Sequence, residues 1–314
     1  MPVTFEISEY KNFGKCLTVS DGRSELEVTL DIGPRVISYS LCGHKNIFSE
    51  DIERKTFRGG GQLHSFFGND ENWYIYGGHR LWSSPESFPE SYTPDNFPVE
   101  YVIDEAAGSV TLTPPDRTQV GERHSMKVTM SVDGSVTVSH TITNISGGAL
   151  KLAPWCMTVG EKNGTLIIPQ SRDKTGLLSN RHISVWEYTD VSDPRFFLGN
   201  RYMTLRQQPG SQNKFKIGIN NTEGWSAYLA EGQLFRKAFA WERGEEYPDN
   251  GCNFEAFTDG EIIEIESLGF LKELAPGESV FAEEKWSLTA CPDSFDPRDE
   301  DNIDAFVRKY GLDE

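Results

Sequence analysis

Residues 252–267, CNFEAFTDGEIIEIES, decide how this chain is read. Apolar and polar side chains alternate on both sides of Asp259-Gly260, the period of a half-buried strand. Aspartate-glycine between two such runs predicts a two-residue hairpin turn, because both turn positions need positive φ. In that register Thr258 faces Glu261, Phe257 faces Ile262, Glu255 faces Glu264 and Asn253 faces Glu266, all on one side. The other side pairs Ala256 with Ile263, Phe254 with Ile265 and Cys252 with Ser267, and is apolar enough to belong to a core. The polar side gathers Glu255, Glu264 and Glu266. Like charges opposed across strands are destabilising, so such a face is either solvated or a place where a raised pKa is used. A sugar site suits it better than a metal site. None of His44, His64, His79, His124, His140 and His182 stands in an HxH or HExxH spacing that would join the carboxylates. No metal and no cofactor is expected.

Outward from the hairpin, the same alternation predicts strands over 25–30, 35–41, 109–113, 125–132, 135–143, 150–159, 165–169, 214–219, 225–231 and 279–288. Asp133-Gly134 and Pro276-Gly277 supply turn chemistry between them. Helical periodicity is scarce, and neither an internal repeat nor a Pro/Ser-rich linker divides the chain. The expectation is one all-β domain over 1–314, a large antiparallel sandwich, with an acidic tail at 292–314 carrying a short helix near 301–310. Residues 49–98, rich in Gly, Pro and aromatics, read as long ordered loops, and segments of that kind are commonly functional. The glycines at 59–61 lack the GxxxxGK[ST] pattern of a phosphate loop.

The 314 residues carry 30 Lys and Arg against 48 Asp and Glu, a net charge of −18. Such a surface repels nucleic acid and anionic lipid, so neither is expected as a partner, while a neutral small molecule is compatible. No basic segment followed by an apolar stretch opens the sequence, and no apolar run is long enough to span a bilayer. The five cysteines, Cys16, Cys42, Cys156, Cys252 and Cys291, are scattered, with no CxxC pair. Reduced thiols in a cytoplasmic protein account for them. Oligomeric state is not readable from one sequence.

Two runs carry a resemblance. Residues 251–288, GCNFEAFTDGEIIEIESLGFLKELAPGESVFAEEKWSL, resemble the carboxy-terminal part of the galactose mutarotase-like superfamily, in which a glutamate-bearing strand precedes an L-x-PGE turn and a final strand. Residues 142–159, ITNISGGALKLAPWCMTV, are similar to its central strand pair, and YGGHRLWSSPE at 76–86 is similar to a signature of a bacterial branch of it, labelled as domains of unknown function. The resemblance implies a twisted β-supersandwich with a carbohydrate site on one concave sheet. Aldose epimerases of this group use a glutamate base and a histidine acid to open and reclose a sugar ring. Carried over by motif, Glu255 of FEAF falls at the base position.

The central strand departs from the pattern. Where an H-x-Y-F stretch would hold the acid, this chain reads LAPWCMTV with no histidine. His79 in GGHRLW is then the candidate acid, since an imidazole suits either proton role near neutrality; a purely structural role is its alternative. Arg80 is a candidate for neutralising the glutamates or binding sugar hydroxyls, or else a salt-bridged loop residue. Trp82 and Trp155 are candidates for stacking on a pyranose, although indoles also fill cores. Asn253, Glu264, Glu266 and Lys237 complete the candidate substrate contacts, with a snorkelling surface lysine as the alternative for Lys237. The three glutamates are expected to meet in a pocket roofed by the GGHRLW loop. Three functions fit: a cofactor-independent aldose epimerase or mutarotase, a non-catalytic carbohydrate-binding or sensory protein, and, third, a glycoside hydrolase or lyase. Facing carboxylates on adjacent strands suit the last poorly, because its acid and nucleophile must flank the scissile bond.

Overall fold

Period-two alternation builds an eleven-stranded and a ten-stranded antiparallel sheet in the computed structural model, which describes residues 2–313. Each strand expected from alternation is present, with its ends within a few residues of the expected ones. The centre of the larger sheet runs, in order, through Val36–Leu41, Gly78–Ser84, Leu150–Gly160, Ile263–Leu268, Phe254–Thr258 and Phe215–Ile219, ending on the edge strand Ile183–Val185. The second sheet is centred on Gln233–Phe239, Ser279–Ala290 and Val136–Asn144. Between them lies the main core, where Tyr39 and Phe48 of one layer meet Phe235 and Trp286 of the other at ring separations of 5.2–6.2 Å. Phe254, Ala256, Ile263 and Ile265, the apolar side of the hairpin, are buried in that core.

The tail forms the helix Glu300–Lys309. Asp299 caps it by accepting from the backbone N–H groups of Asp301 and Asn302. Ile303, Phe306 and Val307 pack against Ile167, Tyr202, Trp225 and Leu234, so the tail is docked through its apolar stripe. No helix among the described residues is long and apolar enough to cross a membrane. All five cysteines are free.

Two expectations need correction. The hairpin is closed by four residues, not two: Thr258 pairs with Ile263, and Glu255 therefore faces Glu266 while Phe257 faces Glu264. Asp259 Oδ1 accepts from the N–H groups of Glu261 at 2.7 Å and Ile262 at 3.0 Å, folding the loop through its side chain. Because the register slips by an even number, every side chain keeps its face. Second, 49–98 is not loop throughout. Gly78–Ser84, the GGHRLW segment, is a central strand pairing with Leu150–Gly160. The remainder, including the helix Gly61–Phe67 and the strand pair Phe57–Arg58 and Trp73–Tyr74, forms a cover whose Leu63, Phe67 and Trp73 pack on Trp82, Trp155 and Met157.

Candidate functional site

Strand register gathers one set of side chains on the outer face of the larger sheet. Arg80 lies opposite Met157 and Trp82 opposite Trp155; Met157 lies opposite Glu266, Glu266 opposite Glu255, and Lys216 opposite Phe257. Residues directly opposite in an antiparallel pair share a face. Trp186 and Tyr188, just beyond the edge strand, close one side; Tyr92 and Glu86 of the covering segment close another. The result is a cleft in two adjoining parts of about 580 and 480 Å³, which share Trp155, Trp186 and Lys216 as walls. That is ample for a monosaccharide.

The floor is polar and closely bonded. Lys216 Nζ lies 2.8 Å from Glu255 Oε2 and 3.1 Å from Glu266 Oε2. Trp155 Nε1 donates to the same Glu266 oxygen at 2.7 Å. All four side chains are buried, and Glu264, half-buried, lines the cleft beside them. The second oxygens of Glu255 and Glu266 have no hydrogen-bond partner among the described residues. Burial drives the Glu255 carboxyl well above the usual carboxylate range, against the pull of Lys216 and with the help of Glu266 and Asp249. Burial and then Glu266 push Glu264 up to about 8, although Lys216 and Arg80 oppose the rise. Burial alone would depress Lys216, but Glu266 and Glu255 outweigh it and raise the ammonium well above its ordinary value. The cleft therefore holds a fixed cation beside a carboxyl, Glu264, placed to exchange a proton near neutrality.

The other sequence candidates divide between the faces. Trp82 and Trp155 line the cleft. Arg80 is on the same side but lies behind Trp73 and Trp82, its guanidinium 4.9 and 4.1 Å from their ring centres. His79 points the opposite way, because neighbours on a strand alternate. It is fully buried between the sheets, with Nδ1 2.8 Å from Thr158 Oγ1 and Nε2 2.9 Å from His140 Nε2. Burial, His140 and Lys237 keep its pKa well below the ordinary value. The GGHRLW segment thus walls the floor as sheet and sends its histidine away from the glutamates, so the expected roof is not formed. Lys237 also lies between the sheets, bonded to Glu284 at 2.8 Å and to the carbonyls of Cys156 and Ile265. Asn253 is buried and pairs with the Asn221 backbone, donating to its carbonyl at 3.0 Å and accepting from its N–H at 2.6 Å. A grouping with metal-ligand chemistry is His79, His140 and Glu284, whose ligand atoms lie within 4.8 Å of one another. The Lys237 ammonium already brings positive charge to that Glu284.

Sequence reasoning missed Lys216, Trp186 and Tyr188. Lys216 alternates with Phe215 and Ile217 in a strand that had been read correctly, so its face could have been assigned. Its partners could not, because Phe215–Ile219 meets Phe254–Thr258 across 34 residues or more of intervening chain.

No family model matches the chain, and no curated protein does. Solved structures do. A TPR-domain containing protein from Parabacteroides distasonis aligns with a TM-score of 0.61 and 15% identity over 89% of this chain and 48% of its own, so this chain spans about half its length. A protein of proposed aldose 1-epimerase activity from Klebsiella pneumoniae gives 0.57 and 12% identity, over 100% of this chain and 89% of that one. A galactose mutarotase-like protein from Lactobacillus casei gives 0.52 and 10%, over 87% and 100%. The fold is that of the galactose mutarotase-like proteins. At these identities the likeness is one of fold, and function has to be argued from the cleft.

Proposed function

We propose that the cleft binds a sugar or sugar derivative and that the protein is a cofactor-independent aldose epimerase of the mutarotase type. The reading is carried by one observation: Glu255 and Glu266 meet Lys216, with Glu264 beside them, on the floor of an indole-walled cleft. Indole walls suit the C–H face of a pyranose, while the carboxyls and the ammonium suit its hydroxyls. Glu255 removes the proton of the anomeric hydroxyl as the C1–O5 bond breaks and O5 takes the proton of Glu264. The open-chain aldehyde turns about C1–C2, O5 attacks the other face of C1, and both protons return. Nothing is oxidised or reduced, so the step requires no redox cofactor. Glu264, at about 8, carries its proton at neutral pH and fills the donor role for which His79 had been the candidate. Glu266, bonded to Trp155 and Lys216, positions the lysine against Glu255.

A second reading, a non-catalytic sugar-binding protein on the same scaffold, is favoured by the absence of any histidine from the lining of the cleft among the described residues. Freshly dissolved single anomers of hexoses and uronic acids, followed by polarimetry with and without the protein, separate the two. Accelerated approach to equilibrium supports the epimerase. Saturable binding without acceleration across the panel assigns the binding role.

A further inference from the structure

Behind the indoles of Trp73 and Trp82 lies a second polar site, with Glu264 of the cleft within electrostatic reach of it. Arg80 is 3% exposed there, and none of its three guanidinium nitrogens has a hydrogen-bond partner among the described residues. Arg35 and Arg117 are buried within electrostatic reach of it. Two carboxylates answer these three cations: Asp95, 2.7 Å from Arg35 Nη1, and Glu122, 2.8 Å from His124 Nε2. His124 adds no charge near neutrality, since burial and Arg117 push it down to about 4. Glu264, the next carboxyl in reach of Arg80, holds its proton there. The buried Arg80 guanidinium is left without a bonded counter-charge, an arrangement that disfavours folding unless an acceptor of opposite charge is supplied. A small space lined by Gly33, Pro34, Arg80, Asp95, Arg117 and His124, among others, lies among these groups. It adjoins a cavity of about 190 Å³ that shares Gly33, Asp95, Pro114 and Arg117 with it.

We propose that this space is a binding site for a small monovalent anion of the chloride class, held by Arg80 and Arg117. Beside Arg80 the space has room for about one small particle, which suits a halide better than a phosphate or a carboxylate. Water could accept from one or two guanidinium N–H groups and would leave the charge imbalance as it is. A halide accepts from several N–H groups without a directional demand and closes the imbalance. Because Arg80 stacks beneath Trp73 and Trp82, which wall the cleft, the anion fixes those indoles through it.

Thermal melting of the full chain in sodium chloride and in sodium gluconate at equal ionic strength tests the site. The expected result is a melting temperature higher in chloride by about 3 °C or more, saturating with concentration. R80M, if folded, shows no difference between the two salts. Crystals of the unaltered protein grown in bromide give the result that depends on no variant: an anomalous peak between Arg80 and Arg117. Equal melting temperatures in the two salts overturn the proposal. A bromide map with a water or nothing in that space overturns it whatever the melting curves do.

Discussion

Lys216 meets Glu255 at 2.8 Å and Glu266 at 3.1 Å, and all three side chains are buried at the floor of the cleft. Removing the ammonium would leave two facing buried carboxylates without their cation. We expect Lys216→Met to destabilise the fold by about 3–5 kcal/mol, read from denaturant melts. Glu255→Gln does the opposite electrostatically, since it relieves the repulsion across that pair. It should fold with no loss of melting temperature and lower anomer interconversion by about 100-fold or more. Glu264 gives the pH dependence its sign. Its carboxyl is raised in the folded state to about 8, so the folded protein binds the proton more tightly than the unfolded chain. Its contribution to stability is therefore fully present below the ordinary carboxylate pKa and is lost as pH rises through about 8. Activity that needs its proton falls over the same upper range. Glu264→Gln should flatten the stability loss between pH 6 and 9, and an unchanged slope would contradict the assignment. The three glutamates were legible in the sequence because alternation survives an even slip in register. Lys216 was not, because its partners are neighbours only across the sheet.

The hairpin that carries the glutamates is set by Asp259, which accepts from two backbone N–H groups of its own loop. Asp259→Ala should cost about 1–2 kcal/mol, measured by urea unfolding. Gly260→Ala should cost more, because an added Cβ would come within 2.4 Å of the Ser211 carbonyl oxygen on the neighbouring loop. Asp-Gly signalled a turn correctly, yet the aspartate acts here through its side chain and the glycine through close approach, and neither effect has a distinctive spacing. The strand Gly78–Ser84 was obscured for a different reason. Six of its seven residues are buried on one face or the other, so polar and apolar positions do not alternate. Gly77 and Gly78 at its start, both with positive φ, made the segment look like loop.

Across the whole molecule, two buried lysines do different work. Lys216 stands on the outer face; Lys237 joins the layers, bonding Glu284 of the second sheet to the carbonyls of Cys156 and Ile265 of the first. Lys237→Met should destabilise by about 3–5 kcal/mol while leaving sugar affinity, measured by calorimetry on the folded fraction, unchanged. Layer architecture was legible from alternation, since each sheet buries one face against the other. Which face a candidate residue served was legible only where the strand itself had been recognised, and that is why His79 had been grouped with the glutamates. A crystal structure of the protein soaked with a pyranose tests the central claim most directly. The account predicts a sugar ring against Trp155 and Trp186, with its anomeric oxygen within hydrogen-bonding distance of Glu255. A ring bound elsewhere, with the Glu255–Lys216–Glu266 floor untouched, would contradict it.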